Sequence, residues 1–526
     1  MEISPEDAYG FFTSITVYSA AALTWLAWMT FKKYTAPCYP PGPTKVLPWI
    51  GSLAFMPKHN AWETYAKWGK EYNSDVLHLQ GAGLDVIVLN SEEASIDLLD
   101  KRSAIYSSRP DFSIVEITGW EWLMSNMLYT PAWRERRKLL QKHFHPTKPE
   151  VFQPKFFSAI RDRLIPRLLE QPENWVSILR HVIGSTTLSL AYGLPIDEQG
   201  TTGKYEDNAV DNPRSSASLI QLAEAAVETL NATYAEGAVV VDLLPILRYF
   251  PSWFPGLGFK AKMPGWRRLA REFRERPFEV GRSLFAEGKA EESFLSLCLD
   301  DGEKDLEVVK DTAGMMIAGG VDTTISLLHN FILAMLLHPN VQRRAQQELE
   351  QLLATEKRGV IEWDDREKLP YLTAVLKEVL RWRPVAPLSG PHAVIQDDEY
   401  KGYHIPKNSL VIPNSWLMLH SEEAFGSNPD RFRPERFLDE KGQVNPDVKD
   451  PRDIAFGFGR RVCPGEHIAM YNLFITASHV LSTFDIEYAV DENGTVKEPS
   501  LDWPDLVICP PLPFDCKFVP RYKSEI

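Results

Sequence analysis

The stretch FGFGRRVCPG, residues 456–465, surrounds one cysteine with three glycines, two arginines and a proline. A thiolate that ligates a metal must stay deprotonated, accept backbone N–H groups and be approached closely by a large flat group. Glycine permits that approach because it lacks a side chain and adopts positive φ at little cost. Pro464 opens a helix whose N-terminus would face the sulfur. The stretch therefore predicts that Cys463 is a metal-ligating thiolate and that Arg461 is placed to meet a carboxylate.

The remaining cysteines do not form a disulfide framework. The chain has five cysteines, an odd number without a C-x-x-C pair, which is unlike a disulfide-stabilised secreted domain and fits a reducing compartment. We interpret the other four as small buried apolar residues: Cys38, Cys298, Cys509 and Cys516.

Composition limits the class of protein. With 526 residues, 44% hydrophobic and 24% charged, the chain has ordinary globular composition. Because no linker, repeat or low-complexity tract follows about residue 34, residues 35–526 are predicted to form one large domain. The net charge of −14 argues against nucleic acid as a partner. The only dense basic run is WRERRKLLQKHFHPTK, residues 133–148.

A membrane anchor is predicted at the N-terminus, in residues 1–34. Residues 11–31 carry no charge and would span about 31 Å as a helix, which matches a hydrocarbon core of roughly 30 Å. Acidic residues precede this run, and Lys32 and Lys33 follow it. The positive-inside rule then places the rest of the chain in the cytosol. The alternative is a buried core helix.

The body of the chain is predicted to be mainly α-helical with small β-sheets. Residues 75–80 and 85–90 predict a hairpin, and residues 403–414 predict a second short pair of strands. Residues 241–260 mix aromatic residues with prolines and glycines, and predict either a loop that contacts the membrane or roofs a substrate entrance, or an ordinary buried loop. Hydrophobic periodicity predicts helices over residues 62–72, 92–102, 133–144, 152–169, 176–192, 216–233, 266–288, 306–338, 341–354 and 371–383.

The cysteine stretch resembles the haem-binding loop of the cytochrome P-450 superfamily, F-x-x-G-x-R-x-C-x-G. It matches every fixed position: Phe456, Gly459, Arg461, Cys463 and Gly465. The resemblance implies the cytochrome P-450 fold and haem b, iron protoporphyrin IX, held by Cys463 as axial thiolate. The spacings are similar to those of fungal microsomal members that modify natural products.

Two further motifs resemble the family at separate points of the chain. KEVLRWRP places Glu378 and Arg381 on one helical face, and PERF supplies Arg436, which in the family joins them in a buried ion network. AGGVDTT lies within the apolar helix over residues 306–338, where two adjacent glycines require a reason. In the family this helix crosses the haem, and Asp322 and Thr323 match its proton-delivering acid and alcohol.

The resemblance also implies partners for the haem propionates and for an electron donor. Trp133 and Arg137 match the propionate-binding helix, and His392 and Arg461 match two further propionate contacts. One departure is YTPAW before that helix, where family members often have a glycine. The remaining basic residues predict a docking face for an acidic electron donor, the alternative being a solvated helix face: Arg134, Arg136, Lys138, Lys142 and Arg460.

Together these observations predict a membrane-anchored monooxygenase of secondary metabolism that inserts one oxygen atom into an apolar small molecule. By resemblance, it takes electrons from NADPH through a reductase, with cytochrome b5 as a further partner, at the endoplasmic reticulum membrane. Two alternatives remain: a haem-thiolate isomerase or dehydratase that needs no electron donor, and a non-catalytic haem protein. The substrate walls implied by the resemblance are residues 110–128, 219–259, 312–320, 385–390 and 507–512.

Overall fold

The computed structural model describes residues 37–43, 51–57, 59–196, 216–235, 240–243, 245–504 and 506–521. The predicted anchor over residues 11–31 lies outside these residues. Within them, one helix is long and apolar enough to cross a membrane, Leu306–Leu337. Most of that helix is buried against other parts of the protein, as a core helix would be.

Helices make up most of the described chain. Short 3₁₀ and π turns extend or connect several of them, as at Ile96–Lys101 and Ile160–Leu164. The α-helices are α1 (Ala61–Glu71), α2 (Glu92–Ser95), α3 (Ser103–Tyr106), α4 (Ser113–Ile117), α5 (Pro131–His143), α6 (Gln153–Ala159), α7 (Ile165–Glu170), α8 (Trp175–Tyr192), α9 (Ser216–Ala235), α10 (Val240–Leu243), α11 (Met263–Ala286), α12 (Phe294–Asp300), α13 (Leu306–Leu337), α14 (Pro339–Glu356), α15 (Pro370–Trp382), α16 (Ser415–Leu419), α17 (Glu422–Phe425), α18 (Arg452–Ala455) and α19 (Glu466–Thr483).

Helix α13 is the axis of the core. It begins where the Asp305 side chain accepts hydrogen bonds from the backbone N–H groups of Glu307 and Val308, and it ends before Pro339. Helices α5, α8, α11 and α19 pack against it. Trp122 packs directly on Gly314, where an added Cβ atom would lie 2.8 Å from the indole ring. The small residue therefore lets an aromatic side chain lie flush with the helix backbone.

The β-strands form three small sheets. Strands β1 (Val76–Gly81) and β2 (Leu84–Leu89) make the predicted hairpin, with Ala82 and Gly83 at positive φ in its two-residue turn. The larger sheet has the order β1-β2-β6-β3, with β2 and β6 parallel. The others are β4 with β5, and β7 with β8. The remaining bounds are β3 (His392–Ala393), β4 (Asp398–Tyr400), β5 (Tyr403–Ile405), β6 (Leu410–Pro413), β7 (Phe484–Tyr488) and β8 (Cys516–Pro520).

The prediction that residues 403–414 form a strand pair is wrong. Strand β5 pairs with β4, whereas β6 pairs with β2 and β3 in a different sheet. Alternating hydrophobicity identifies strands but does not identify their partners, because the partners of β6 come from distant parts of the chain. The outcome matters for the site, since β3 and β6 bring residues 389–392 beside residues 411–415.

The Glu378 network is formed as expected and is fully buried. Arg381 donates from Nε and Nη2 to the two carboxylate oxygens of Glu378 at 2.7 and 2.9 Å, and Arg436 donates from Nε at 3.1 Å. Both guanidinium groups also donate to backbone carbonyls. The glutamate and Arg381 side chains are 0% exposed. Because every charge has a partner, the network ties helix α15 to the PERF segment next to the cysteine loop.

Removing one member of this network should destabilise the protein strongly. Arg381→Ala leaves the Glu378 carboxylate buried beside Arg436 alone, and breaking a buried pair costs roughly 3–5 kcal/mol. Lys368→Ala is the matched control, because its ion pair with Glu356 is exposed and worth about 0–1 kcal/mol. Denaturant unfolding of both variants measures the difference. Equal stability of the two variants would show that the buried network does not hold this region.

Candidate functional site

The loop around Cys463 presents backbone N–H groups to the sulfur. The Cys463 N–H donates to the Phe456 carbonyl at 2.9 Å, which closes the loop, and helix α19 begins at Glu466. Burial raises the pKa of the Cys463 thiol, while the N–H groups of Gly465 and Glu466 and the positive charge of Arg137 act in the opposite direction. Hydrogen-bond donors for a thiolate are therefore in place. Burial disfavours the charged thiolate, and a metal cation bound to the sulfur would stabilise it.

The three glycines of the loop do different things. Gly457 lies on a cavity wall at φ 81°, and an added Cβ atom there would have no protein atom within 4 Å. An added Cβ atom at Gly465 would lie 3.9 Å from the Cys463 sulfur. Gly459 does not line the cavity; it has φ 58°, and a Cβ atom would lie 2.1 Å from the Leu99 carbonyl oxygen. In this structure Gly459 therefore has a packing role, and its contact with haem stays a prediction.

A cavity of about 300 Å³ separates the cysteine loop from helix α13. One wall consists of Phe456, Gly457, Cys463 and Gly465, and the opposite wall includes Gly319, Gly320 and Thr323. The twin glycines leave this stretch of the helix without side chains that reach across the cavity. A flat group bound to the Cys463 sulfur would therefore face the Gly319–Gly320 segment of α13.

Buried arginines without carboxylate partners provide a test of whether haem fits. Arg461 donates to the carbonyls of Ser107, Met124 and Met127, and Arg109 donates to those of Ser125 and Gly390. Burial lowers the pKa of Arg461 to about 9 and that of Arg109 to about 10. Within the described residues, neither guanidinium forms an ion pair with a carboxylate. Arg461 is buried and Arg109 half-buried. Two cations with so little access to water need an anionic ligand, and the two propionates of haem would supply the matching charge.

Arg109 was missed by the sequence analysis, which selected only Arg461 and His392 on this side of the cavity. Its signal is weak, an arginine before a proline in SSRP, and such a dipeptide is common in loops. Only the fold shows that its guanidinium lines the cavity.

His392 also lines the cavity, on strand β3, and its charge state is set by burial together with the neighbouring arginines. Burial, followed by repulsion from Arg109, lowers its pKa to about 3. Its Nδ1–H therefore donates to the Tyr106 carbonyl at 2.7 Å, and the ring is neutral in this environment. A carboxylate at the same place would raise that pKa, since it would offset the two guanidinium charges.

Trp133 and Arg137 lie behind the loop and do not line the cavity. The Arg461 guanidinium carbon lies 4.3 Å from the Trp133 ring centroid, and Arg137 donates from Nη1 to the Val462 carbonyl at 2.8 Å. In this structure the two residues of helix α5 thus hold the loop and its arginine in position. Their direct contact with a propionate stays a prediction.

Asp322 and Thr323 point in different directions. Thr323 lines the cavity, and its Oγ1 donates to the Gly319 carbonyl at 2.6 Å. Asp322 instead pairs with Arg180 of α8 at 2.8 Å and does not line the cavity. Consecutive helical residues differ by about 100° around the axis, which explains the separation. The carboxylate is 29% exposed, so it has access to solvent protons that the buried cavity lacks.

A second cavity, of about 530 Å³, lies on the opposite side of the cysteine loop and includes Arg137, His145, Arg366 and His467 in its walls. Near it, Arg134 and Lys138 on helix α5 are exposed. We call Arg134, Lys138 and Arg460 the basic face. Arg460 is also exposed, and it donates to the hydroxyl of Tyr129 at 2.9 Å.

Two residues expected on this face are engaged elsewhere. Arg136 donates to Asp311 at 2.7 Å, and Arg274 of α11 donates to the same carboxylate at 2.6 Å. Asp311 is only 2% exposed, so this pair fastens α5 and α11 to α13 inside the protein. Lys142 pairs with Asp301 at 2.6 Å. Arg136 could bind a docking partner only by giving up its hydrogen bonds to the buried Asp311 carboxylate.

Three of the five expected substrate segments contribute to the cavity between the cysteine loop and α13. They supply Met315 and Met316, Val385 and Ala386, and Ile508. The segments over residues 110–128 and 219–259 supply none of its described lining residues, although Arg109 lies next to the first. In the first of these segments Trp120 packs in the core instead, against Trp122 and Phe273.

Comparison with known proteins identifies the family. The family model "Cytochrome P450", written cytochrome P-450 here, matches residues 40–518. The chain is 41% identical to a cytochrome P-450 monooxygenase, ple1, of Rhodocybe pseudopiperita, over 97% of this chain and 94% of that protein. It is 39% identical to tryptamine 4-monooxygenase of Psilocybe cyanescens, over 92% and 93%. A monooxygenase of Armillaria gallica is 35% identical over 98% and 97%.

The chain therefore belongs to the cytochrome P-450 family and is a haem-thiolate monooxygenase. The haem-thiolate cofactor of the family matches the cavity in three respects: a cysteine sulfur on one wall, a glycine-lined slot and uncompensated cationic groups at one edge.

Replacing the ligating sulfur should abolish the thiolate spectrum. Cys463→Ala removes the only cysteine among the described residues that lines the cavity, so any retained haem would lack a thiolate ligand. We expect loss of the red-shifted Soret band of the reduced carbon monoxide complex. Cys509→Ala, at a cysteine outside the cavity walls, is the control. An unchanged band in Cys463→Ala would disprove the ligand assignment.

Proposed function

We propose that this cytochrome P-450 hydroxylates an apolar natural product at the endoplasmic reticulum membrane. Residues 1–34 anchor the chain as a single pass, and residues 35–526 form the cytosolic catalytic domain. Electrons come from NADPH through cytochrome P-450 reductase, with cytochrome b5 as a further partner. The observation that carries the proposal is the cavity between the Cys463 sulfur and the Gly319–Gly320–Thr323 segment of α13.

The residues of the chain supply ligation, orientation and protons. When bound, haem supplies the activation of dioxygen and the insertion of one oxygen atom into the substrate. Cys463 holds it from one side, with backbone N–H groups directed at the sulfur. Arg109 and Arg461, which line the same cavity, would bind its carboxylates. Helix α13 and the apolar side chains of Met315, Val385 and Ile508 exclude water from the opposite side.

Thr323 and Asp322 together deliver protons from solvent to the cavity. Thr323 lines the cavity, and its hydroxyl donates its one proton to the Gly319 carbonyl. Rotation of the hydroxyl away from that carbonyl would let it donate the proton into the cavity and accept another in its place. Asp322 is the adjacent acid on the solvent side of the helix, where Arg180 orients it. The pairing of a hydroxyl on the cavity side with an acid on the solvent side favours a monooxygenase over an isomerase or dehydratase, because the latter rearrange the substrate without consuming protons.

The cavity favours a neutral apolar substrate. Its described walls contain arginines and a histidine but no aspartate or glutamate, so a positively charged ammonium group would find no buried counterion. Tryptamine 4-monooxygenase is named for an amine substrate. A tryptamine-like cation is therefore a poor match to this chain, and a neutral terpenoid or polyketide skeleton fits the walls better.

An exposed apolar segment provides a second contact with the membrane. Tyr249 and Trp253 are 86% and 80% exposed, and Ile246 is 63% exposed, which is unusual for large apolar side chains in one short stretch. Aromatic residues with one polar edge favour the interface between headgroups and hydrocarbon. This segment and the anchor would hold the catalytic domain against the bilayer, in which apolar substrates concentrate.

Reconstitution tests the proposed electron supply. Product formation from an apolar natural-product panel should require NADPH and the reductase, because dioxygen must be reduced to release one oxygen atom as water. Full turnover of an organic hydroperoxide without either component would favour the isomerase instead. Soret titration with the same panel, without turnover, separates failure of substrate binding from failure of electron transfer.

The same assay tests the basic face. Its three groups should attract an acidic donor through charge, so the rate should fall as salt rises. Replacing Arg134, Lys138 and Arg460 with glutamine should lower the rate at low salt and flatten its salt dependence. Replacement of the exposed lysines Lys67, Lys407 and Lys517 removes equal charge elsewhere and should not. Identical effects of the two triple variants would place the docking surface elsewhere.

The relay role of Thr323 has its own test. Thr323→Ala should retain haem and consume NADPH but form at least tenfold less product per NADPH, with hydrogen peroxide released instead, since a positioned proton relay contributes roughly 10²–10⁴-fold. Thr186→Ala is the control, because its hydroxyl makes the same type of helix bond, to Val182 at 2.7 Å, without lining the cavity. Unchanged product yield in Thr323→Ala would remove this residue from proton delivery.

A further inference from the structure

Ser389 holds an unusual backbone conformation on the wall of the catalytic cavity. Its φ is 51°, in the left-handed region that serine adopts rarely, and it is followed by Gly390 and Pro391. The surrounding structure enforces this conformation. The Ser389 N–H donates to Ala386 at 3.0 Å, and Arg109 donates to the carbonyls of the next two residues. A strained residue that is fixed from several sides and lines a site motivates a functional hypothesis.

The serine side chain is paired with a second hydroxyl behind it. The Oγ atoms of Ser389 and Ser415 lie 2.5 Å apart, and Ser415 is 0% exposed. The two meet because β3 and β6 are antiparallel neighbours, which brings the segment that leads into β3 beside the segment that follows β6. Neither hydroxyl has another hydrogen-bond partner among the described residues.

The direction of this hydrogen bond follows from counting protons. Two hydroxyl groups carry two protons, and the bond between them uses one. If Ser389 donated, the Ser415 proton would remain buried without an acceptor, which costs about 1–3 kcal/mol. If Ser415 donates, the free proton belongs to Ser389, which faces the cavity. The second arrangement is therefore the favoured one, and it presents a hydrogen-bond donor to the cavity.

We propose that Ser389 is a specificity-determining residue that donates a hydrogen bond to an oxygen acceptor on the substrate. The proposal rests on the proposed function, because it needs a substrate bound in this cavity. The cavity lining includes the apolar residues Val385, Ala386, Pro413 and Ile508, besides polar groups such as Arg109 and Thr323. A donor placed among apolar side chains fixes orientation while the apolar surface provides affinity. The substrate class is thus an apolar skeleton that already carries a carbonyl, ether or hydroxyl oxygen.

This assignment places the enzyme after another reaction in a sequence. A pure hydrocarbon skeleton would leave the Ser389 proton without an acceptor in a dry wall, which penalises its binding. An oxygen-bearing skeleton satisfies it. The preceding step must therefore be one that leaves an oxygen function on the skeleton, such as an earlier oxidation or a hydrolytic cyclisation.

Matched ligand pairs test the proposal on the haem-loaded enzyme. Each pair has one apolar skeleton with and without a ketone, such as camphor and camphane, and the readout is the dissociation constant from the Soret shift. The parent enzyme should bind ketones more tightly than their hydrocarbons. Ser389→Ala should weaken ketone binding roughly two- to tenfold, the net value of one neutral hydrogen bond, and leave hydrocarbon binding unchanged.

Ser389→Gly separates the hydroxyl from the backbone. Glycine adopts φ near 51° without strain, whereas alanine does not. The glycine variant should therefore unfold at a higher temperature than the alanine variant, while both lose the preference for the ketone. Ser415→Ala should retain part of that preference, because Ser389 keeps its proton but loses the group that orients it.

Two outcomes would overturn the role of Ser389, and a third would also count against the proposed function. Equal weakening of ketone and hydrocarbon by Ser389→Ala, with reduced haem content, would mean that the hydroxyl serves a haem carboxylate, and it would overturn the proposal. A parent enzyme that binds both members of every pair equally would also overturn it, while leaving the proposed monooxygenase function intact. Absence of any Soret shift across the panel would count against both.

Discussion

Uncompensated positive charge beside a dry cavity is the constraint on which the site depends. Arg461 is buried and Arg109 half-buried, both donate only to carbonyls in the described chain, and their charges add to the effect of burial in lowering the pKa of His392. Such a cluster is costly without an anion. The carboxylates of haem remove that cost, so binding of the cofactor and stability of this region are thermodynamically linked.

The Cys463 side of the cavity also holds a group whose charged form needs a ligand of opposite charge. A buried thiolate is unfavourable unless hydrogen bonds and a cation stabilise it. The loop directs backbone N–H groups at the sulfur, and helix α5 places Arg137 nearby while holding Val462. Both halves of the site are therefore completed by one ligand that brings a metal ion to the sulfur and carboxylates to the arginines.

The parts of the fold and of the site that depend on residues close together in the chain were predictable from the sequence. Helix periodicity placed α8, α13 and α15 within a few residues of their observed bounds, because each has an apolar face and a clear stop. The cysteine loop and the Glu378 network were predictable because their residues form short motifs. The partners of β6, the packing of Gly459 on Leu99 and the burial of Arg136 were not, since each depends on contacts between distant segments. The role of Arg109 was not predictable for the same reason, because it depends on contacts between distant segments.

The junction of α5, α11 and α13 has a consequence for how this protein can vary. Asp311 accepts hydrogen bonds from both Arg136 and Arg274, so one carboxylate joins two guanidinium groups from separate helices. Loss of the carboxylate alone would remove the carboxylate partner of Arg136, whereas Arg274 would keep Glu307. Loss of either arginine alone would leave the buried carboxylate with one guanidinium partner. Substitutions at these three positions are therefore expected to be coupled, so that a change at one position requires a compensating change at another.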